Sequence, residues 1–170
     1  VTETVLHDTD DPAIWIHPTN PQESLVIGTD KDTDGGLYVF NLQGKIIKKS
    51  ETIKRPNNVD IAYGLQIDGV LTDIAVTTER ETNKIRIFSL PDLKPLDNGG
   101  IPVFEGELER DPMGIAIYTR PSDKAVFAIV GRKSGPSGSY LWQYELKGTS
   151  NAKVEATWVR KFGAYSGKKE

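Results

Sequence analysis

Short runs of alternating or β-branched residues recur along this chain, and none of them has the spacing of an amphipathic helix. Examples are Ala13 to His17, Thr72 to Thr78, Lys84 to Leu90 and, in the fourth strand of the second unit, Pro102 to Gly106. Turn-forming residues separate the runs, as at Asn20-Pro21 and at Asp97 to Gly100. A period of two is typical of β-strands. The pattern therefore predicts an all-β protein of about a dozen strands.

The same order of segments occurs three times. The third segment of each repeat ends at Leu42, Leu90 and Leu146, which lie 48 and 56 residues apart. Each repeat adds a fourth, more polar segment, and about fifty residues with four strands is typical of one β-propeller blade. We therefore expect three four-stranded blades over residues 1–56, 57–110 and 111–170, and the alternative is a β-sandwich whose spacing is coincidental. The repeats begin with DDPAIWIHP, NNVDIAYGL and DPMGIAIYTRP, continue with SLVIGTDKD, LTDIAVTTER and AVFAIVGRKSG, and end with GLYVFNLQGK, NKIRIFSLPDLK and SYLWQYELKG.

Three blades do not close a propeller. Closed rings have roughly four to eight blades, and soluble proteins avoid the long open sheet edges that a partial ring would leave. We expect the remaining blades to be supplied by residues or a chain outside this sequence.

Composition excludes several kinds of site. The chain has 37% hydrophobic and 26% charged residues, with no apolar run near the roughly 18 residues that a membrane helix needs. It has no cysteine, which excludes disulfides, thiolate nucleophiles and cysteine-bound zinc. His7 and His17 are too few for a three-histidine zinc centre. Any metal is therefore expected to be bound by oxygen.

The net charge of −3 hides an uneven distribution. Residues 1–36 carry eight acidic and one basic residue, whereas residues 119–170 carry four acidic and ten basic ones. An acidic end and a basic end on one chain favour a site that combines a metal cation with an anionic ligand, and do not favour a nucleic-acid groove.

The repeats place acidic and amide residues before each first strand and cations after each second strand. If these two strands are antiparallel, both groups lie at the same end of a blade. Carboxylate and amide oxygens suit calcium, and lysine and arginine suit phosphate. The alternative is that these residues are turn formers and solvated charges. The predicted metal ligands are Asp11, Asn58 and Asp60, with Asp10 and Asp111 as weaker candidates, and the predicted phosphate-binding residues are Lys31, Arg80, Arg132 and Lys133.

A second candidate for calcium is the loop that contains Asp30, Asp32 and Asp34. The sequence DKDTDGG matches the start of a calcium-binding loop, but Asn41 stands where such a loop has its bidentate glutamate. A plain acidic hairpin loop is the alternative.

Three tryptophans, Trp15, Trp142 and Trp158, are expected to pack in the core between blades.

Several of these segments together resemble the β-propeller phytases, the calcium-dependent alkaline phytases of bacteria. They are DDPAIW at residues 10–15, TDK at 29–31 followed by GLYVF, NNVDI at 57–61, and VGRKSG with WQYEL at 130–146. The resemblance runs in order along the whole chain and covers the first half of such an enzyme, which has six blades. One departure is Met113, where several members have tyrosine and where methionine is a poor calcium ligand.

The resemblance implies a 3-phytase-type phosphomonoester hydrolase that removes phosphates stepwise from myo-inositol hexakisphosphate, with attack by a calcium-activated water. It implies calcium ligands at Asp11, Asn58 and Asp60, and a catalytic phosphate clamp of Lys31, Arg80 and Lys133. A calcium-dependent site favours an extracellular or periplasmic location. The alternatives are a non-catalytic propeller module that binds calcium and an anionic ligand or a protein partner, and a propeller hydrolase that acts on another phosphate ester or a lactone.

Overall fold

The computed structural model describes residues 1–164, so residues 165–170 of the third predicted blade lie outside the described part of the chain. Twelve β-strands and one short 3-10 helix, Pro21–Glu23, make up the regular structure of residues 1–164. The strands are β1 (Thr9–Trp15), β2 (Leu25–Asp30), β3 (Gly36–Asn41), β4 (Ile46–Lys49), β5 (Pro56–Ile67), β6 (Val70–Glu79), β7 (Lys84–Leu90), β8 (Ile101–Pro102), β9 (Pro112–Thr119), β10 (Val126–Arg132), β11 (Leu141–Gly148) and β12 (Val154–Phe162).

The strands form three four-stranded sheets, and neighbours within each sheet follow sequence order and run antiparallel. We call them blade I (β1 to β4), blade II (β5 to β8) and blade III (β9 to β12). The first strands contact one another in turn, β1 with β5 and β5 with β9. The predicted all-β class and the three four-stranded units are confirmed.

Apolar packing between faces holds the blades together. Alternate residues of a strand point to opposite faces of its sheet, so Ala75 on β6 packs in a cluster with blade I, and its neighbour Val76 packs in a cluster with blade III. The first cluster includes Ile27 of blade I, and the second includes Trp142 of blade III. Blade II is thus covered on both faces, which fixes the relative positions of the three blades.

Two local predictions were wrong. Trp15 and Trp142 are buried as expected, but Trp158 is 51% exposed because it lies on β12, an outermost strand with only β11 as its neighbour. The fourth strand of blade II was expected over Pro102 to Gly106, whereas β8 ends at Pro102. Phe104 and Gly106 have φ angles of 54° and 83°, which are incompatible with an extended strand.

Within residues 1–164, no helix has the length and apolar character needed to cross a membrane.

Candidate functional site

The three predicted clamp residues occupy the same place in their blades. In each blade, the residue that follows the second strand donates a backbone hydrogen bond to the segment that enters the first strand. The entry of one strand and the exit of the next therefore lie side by side, as the repeat alignment predicted. We call this end of the three blades the loop face. The bonds run from Lys31 N to Asp8 O (2.7 Å), from Arg80 N to Arg55 O (3.2 Å) and from Lys133 N to Asp111 O (2.8 Å).

The residue before each clamp residue is buried and anchors the entering segment. Asp30 accepts hydrogen bonds from the backbone N–H groups of His7 (3.1 Å) and Asp8 (2.8 Å), and its other oxygen lies 2.9 Å from His7 Nδ1. Glu79 Oε1 accepts the backbone N–H of Lys54 at 2.8 Å. These carboxylates fix the backbone beside the clamp residues and face the interior, so Asp30 is fully buried.

Arg132 takes the same buried position in blade III. Its side chain is fully buried, and its Nη1 donates to Glu107 Oε2 at 3.0 Å and to the carbonyl of Glu109 at 2.9 Å. Its Nη2 donates to the carbonyl and hydroxyl oxygens of Ser139. The sequence prediction grouped Arg132 with Lys133, but only Lys133 is exposed. We therefore assign Arg132 the role that the buried carboxylates have in the other two blades.

The clamp residues differ in their ionic partners. Lys31 Nζ lies 2.8 Å from Asp10 and 3.6 Å from Asp8. The hydrogen bond with Asp10 raises the pKa of Lys31 against the opposing effect of burial. Among the described residues, no carboxylate lies within ion-pair distance of Arg80 or Lys133. These two cations are therefore available to an anionic ligand.

Two of the predicted metal ligands bond to the backbone of the next blade. Asp11 Oδ2 accepts the N–H of Val59 at 3.0 Å, which joins blade I to blade II. Asp60 Oδ2 accepts the N–H of Ile117 at 2.7 Å, which joins blade II to blade III, and Asp60 Oδ1 accepts the N–H of Ile61. Both carboxylates thus set the alignment of adjacent first strands.

Two buried threonines at the same position of the repeat reinforce these junctions, and the sequence reasoning missed them. The hydroxyl of Thr29 accepts the N–H of Asp11 at 3.0 Å and donates to the carbonyl of Asn57 at 3.1 Å. The hydroxyl of Thr78 accepts the N–H of Asn58 at 3.3 Å and donates to the carbonyl of Met113 at 2.9 Å. The aligned triplets TDK, TER and GRK show this threonine at the same position in blades I and II. Blade III has glycine there.

The junction of blades I and II has oxygen donors that suit a hard cation. Asn57 is 2% exposed, and its side-chain oxygen has no hydrogen-bond partner, although a buried carbonyl normally finds one. The backbone N–H of Asp11 and the backbone carbonyl of Asn57 both bond to the hydroxyl of Thr29, so the two residues are neighbours across the junction. Carboxylate and amide oxygens are the donors that calcium prefers, but among residues 1–164 no group of three or more His, Cys, Asp or Glu side chains could hold a metal ion.

The acidic loop after β2 uses its carboxylates within the protein. Asp32 Oδ1 accepts the N–H of Asp34 at 3.1 Å, and Asp34 lies 3.1 Å from Lys54 Nζ. A Cβ atom on Gly35 would lie 1.9 Å from the carbonyl oxygen of Asp30, so this turn requires glycine. These contacts are those of a tight hairpin loop that abuts the entry to blade II.

The comparison with known proteins identifies the family. The family model described as Phytase matches residues 2–169. The chain belongs to the phytase family. It is 31% identical over 159 residues to a protein described as 3-phytase from Bacillus subtilis (strain 168), and the match covers 90% of this chain and 39% of that relative. The phytase-family chain thus spans about two fifths of the length of this curated relative.

A solved structure, the hydrazine synthase of Kuenenia stuttgartiensis, superposes on the phytase-family chain with a TM-score of 0.41 at 12% identity. The superposition covers 94% of this chain and 56% of that one. A TM-score this low carries no argument for this phytase-family chain.

Met113 stands where the resemblance described above predicts a tyrosine. Its backbone carbonyl accepts the hydroxyl of Thr78 across the junction of blades II and III. Its side chain lines a cleft of about 400 Å³ on blade III together with Ile115, Ile129 and Leu141. The contact between the blades is therefore made by backbone and does not depend on the side chain at this position.

Proposed function

We propose that this chain provides three blades of a calcium-dependent phytase that releases phosphate stepwise from myo-inositol hexakisphosphate. The observation that carries the proposal is the repetition of a cation at the same point of the loop face in all three blades of a phytase-family chain. The substrate carries as many as about twelve negative charges, and phosphoryl transfer depends mainly on positioning and charge neutralisation.

In this proposal Lys31, Arg80 and Lys133 bind phosphoryl oxygens. Arg80 offers the planar set of donors that matches a phosphate group, and Lys133 offers a compact charge. Lys31 is held in place by Asp10, and the hydrogen bond with that carboxylate raises the pKa of Lys31. The buried residues Asp30 and Glu79 position the backbone that carries these cations.

We propose that Asp11, Asn57 and Asn58 contribute oxygen ligands to calcium at the junction of blades I and II, with Asp60 near the next junction. When bound, calcium supplies charge neutralisation and an acidified water. The unpartnered oxygen of Asn57 supports this assignment. Blades outside residues 1–170 complete the ring and the coordination sphere in this proposal, and calcium dependence favours an extracellular or periplasmic site of action.

Phosphate release from phytate, measured with the protein that includes the blades completing the ring, tests the proposal, because the chain of residues 1–170 alone is expected to lack part of the site. We expect release in millimolar calcium, loss of release with excess chelator, and a large loss of turnover in Arg80→Gln with an unchanged circular dichroism spectrum. Arg120→Gln is the matched control, since Arg120 is an exposed arginine paired with Asp123 outside the loop face. Hydrolysis that is unaffected by both chelator and Arg80→Gln would refute the proposal. Calcium-dependent binding of phytate without hydrolysis would instead support a non-catalytic binding module.

A further inference from the structure

Arg55 lies between the loops that carry Lys31 and Arg80. Its backbone N–H donates to the carbonyl of Asp32, in the loop of blade I that follows Lys31, at 2.9 Å. Its backbone carbonyl accepts the N–H of Arg80 at 3.2 Å. A single residue is thus tied to both loops at the junction of blades I and II, directly before the first strand of blade II.

The side chain of Arg55 is only partly exposed, and the described residues do not satisfy it. Its Nε is buried and has no hydrogen-bond partner. Among residues 1–164, no carboxylate lies within ion-pair distance of its guanidinium. Burying a guanidinium donor without an acceptor is unfavourable, so this arrangement favours an anionic ligand that supplies the acceptor.

The corresponding residues in the other blades have the opposite charge. Asp8 and Asp111 accept the equivalent backbone hydrogen bonds in blades I and III. In blade I this acid lies 3.6 Å from the ammonium group of Lys31 and offsets part of its charge. Blade II instead has a second cation at this position, bonded through its backbone to Arg80.

The backbone of Arg55 adopts a conformation that favours glycine. Its φ angle is 61°, in the left-handed region where a side chain with a Cβ atom is disfavoured. Keeping an arginine there carries a steric cost within the fold that a glycine would avoid. A residue that costs stability and has an unsatisfied charged group fits a role in ligand binding.

We propose that Arg55 is a substrate-binding residue that, together with Arg80, contacts a phosphoryl group of an inositol polyphosphate at the junction of blades I and II. This assignment rests on the proposed function of the loop face. The planar donor set of the guanidinium allows two parallel hydrogen bonds to one phosphate, which lysine cannot make. The repeat alignment did not point to this residue, because Arg55 lies outside the aligned clamp positions.

Titration calorimetry of phytate with the wild-type protein, including the blades that complete the ring, and with its variants tests the assignment. We expect Arg55→Gln to weaken phytate binding by about tenfold or more, the loss expected for a charge-assisted contact, and Arg55→Lys to recover part of it. Lys54→Gln is the matched control: it removes the same charge from the adjacent residue, whose ammonium pairs with Asp34, and we expect it to change affinity by less than about twofold.

Arg55→Gly separates binding from folding. Because glycine tolerates the positive φ angle, we expect this variant to melt at the same temperature as the wild type or higher and still to lose affinity for phytate. Wild-type affinity in both Arg55→Gln and Arg55→Gly would overturn the assignment of Arg55 while leaving the loop-face proposal in place. If the wild-type protein with its complete ring bound no phytate, with or without calcium, both proposals would fall.

Discussion

The hydroxyl of Thr78 links blades II and III, and its removal should weaken the fold measurably. We predict that Thr78→Val lowers the free energy of unfolding by about 2 to 3 kcal/mol. Valine has nearly the same shape as threonine, so this substitution removes the hydroxyl without leaving a cavity.

The magnitude follows from the two hydrogen bonds that the hydroxyl makes. Thr78 is fully buried, accepts the N–H of Asn58 at 3.3 Å and donates to the carbonyl of Met113 at 2.9 Å. Each bond contributes about 0.5 to 1.5 kcal/mol, and leaving its partners buried without a replacement adds to the loss. Thr29→Val should cost a similar amount at the junction of blades I and II, because its hydroxyl makes the equivalent pair of bonds.

Urea unfolding followed by circular dichroism measures the effect. Thr72→Val is the control on the same strand, since Thr72 is partly exposed and its hydroxyl makes one weak contact of 3.5 Å. A loss below about 0.5 kcal/mol in Thr78→Val, or an equal loss in Thr72→Val, would refute the idea that these hydroxyls join the blades.

Two further predictions concern buried charges. Asp97→Asn should lower the free energy of unfolding, measured by urea titration, by about 3 kcal/mol, because Asp97 and Arg86 are both buried and lie 2.8 Å apart. A loss below about 1 kcal/mol would contradict this prediction. The hydrogen bond from Arg132 lowers the pKa of Glu107 below its usual 4.5. The ionised Glu107 carboxylate therefore stabilises the fold fully above pH 4.5, and this stabilisation is lost as the pH falls through the lowered pKa. Glu107→Gln should therefore lower stability more at pH 7 than at pH 3, and an equal loss at both values would count against the pairing.

The fold could be predicted largely because each blade repeats the same order of strands. The local departures come from features that a hydrophobic pattern does not contain. Trp158 is apolar and alternates correctly, yet it is exposed because, among residues 1–164, no strand besides β11 pairs with β12. Phe104 interrupts an apolar run because its φ angle is positive, which depends on the turn that surrounds it.

The clamp positions could likewise be predicted, because equivalent exits of the second strand carry Lys31, Arg80 and Lys133. Which neighbouring side chain faces inward was harder to predict. From the sequence, Arg132 is expected to be a surface cation beside Lys133. The hydrogen bond from its guanidinium to Glu107 shows that it occupies the buried position that Asp30 and Glu79 have in the other blades. Arg55 occupies the position that Asp8 and Asp111 have in the other blades but carries the opposite charge, so the repeat does not indicate its role.

The proposed function requires the loop face to bind phosphate esters through its repeated cations together with calcium. Titration of phytate into the wild-type protein with its complete ring and into Lys31→Gln/Arg80→Gln/Lys133→Gln, with calcium and with chelator, measures this binding. We expect binding that is tightest with calcium and at least about a hundredfold weaker in the triple variant, whose fold is unchanged. Equal binding by the wild type and the triple variant would contradict the proposed function.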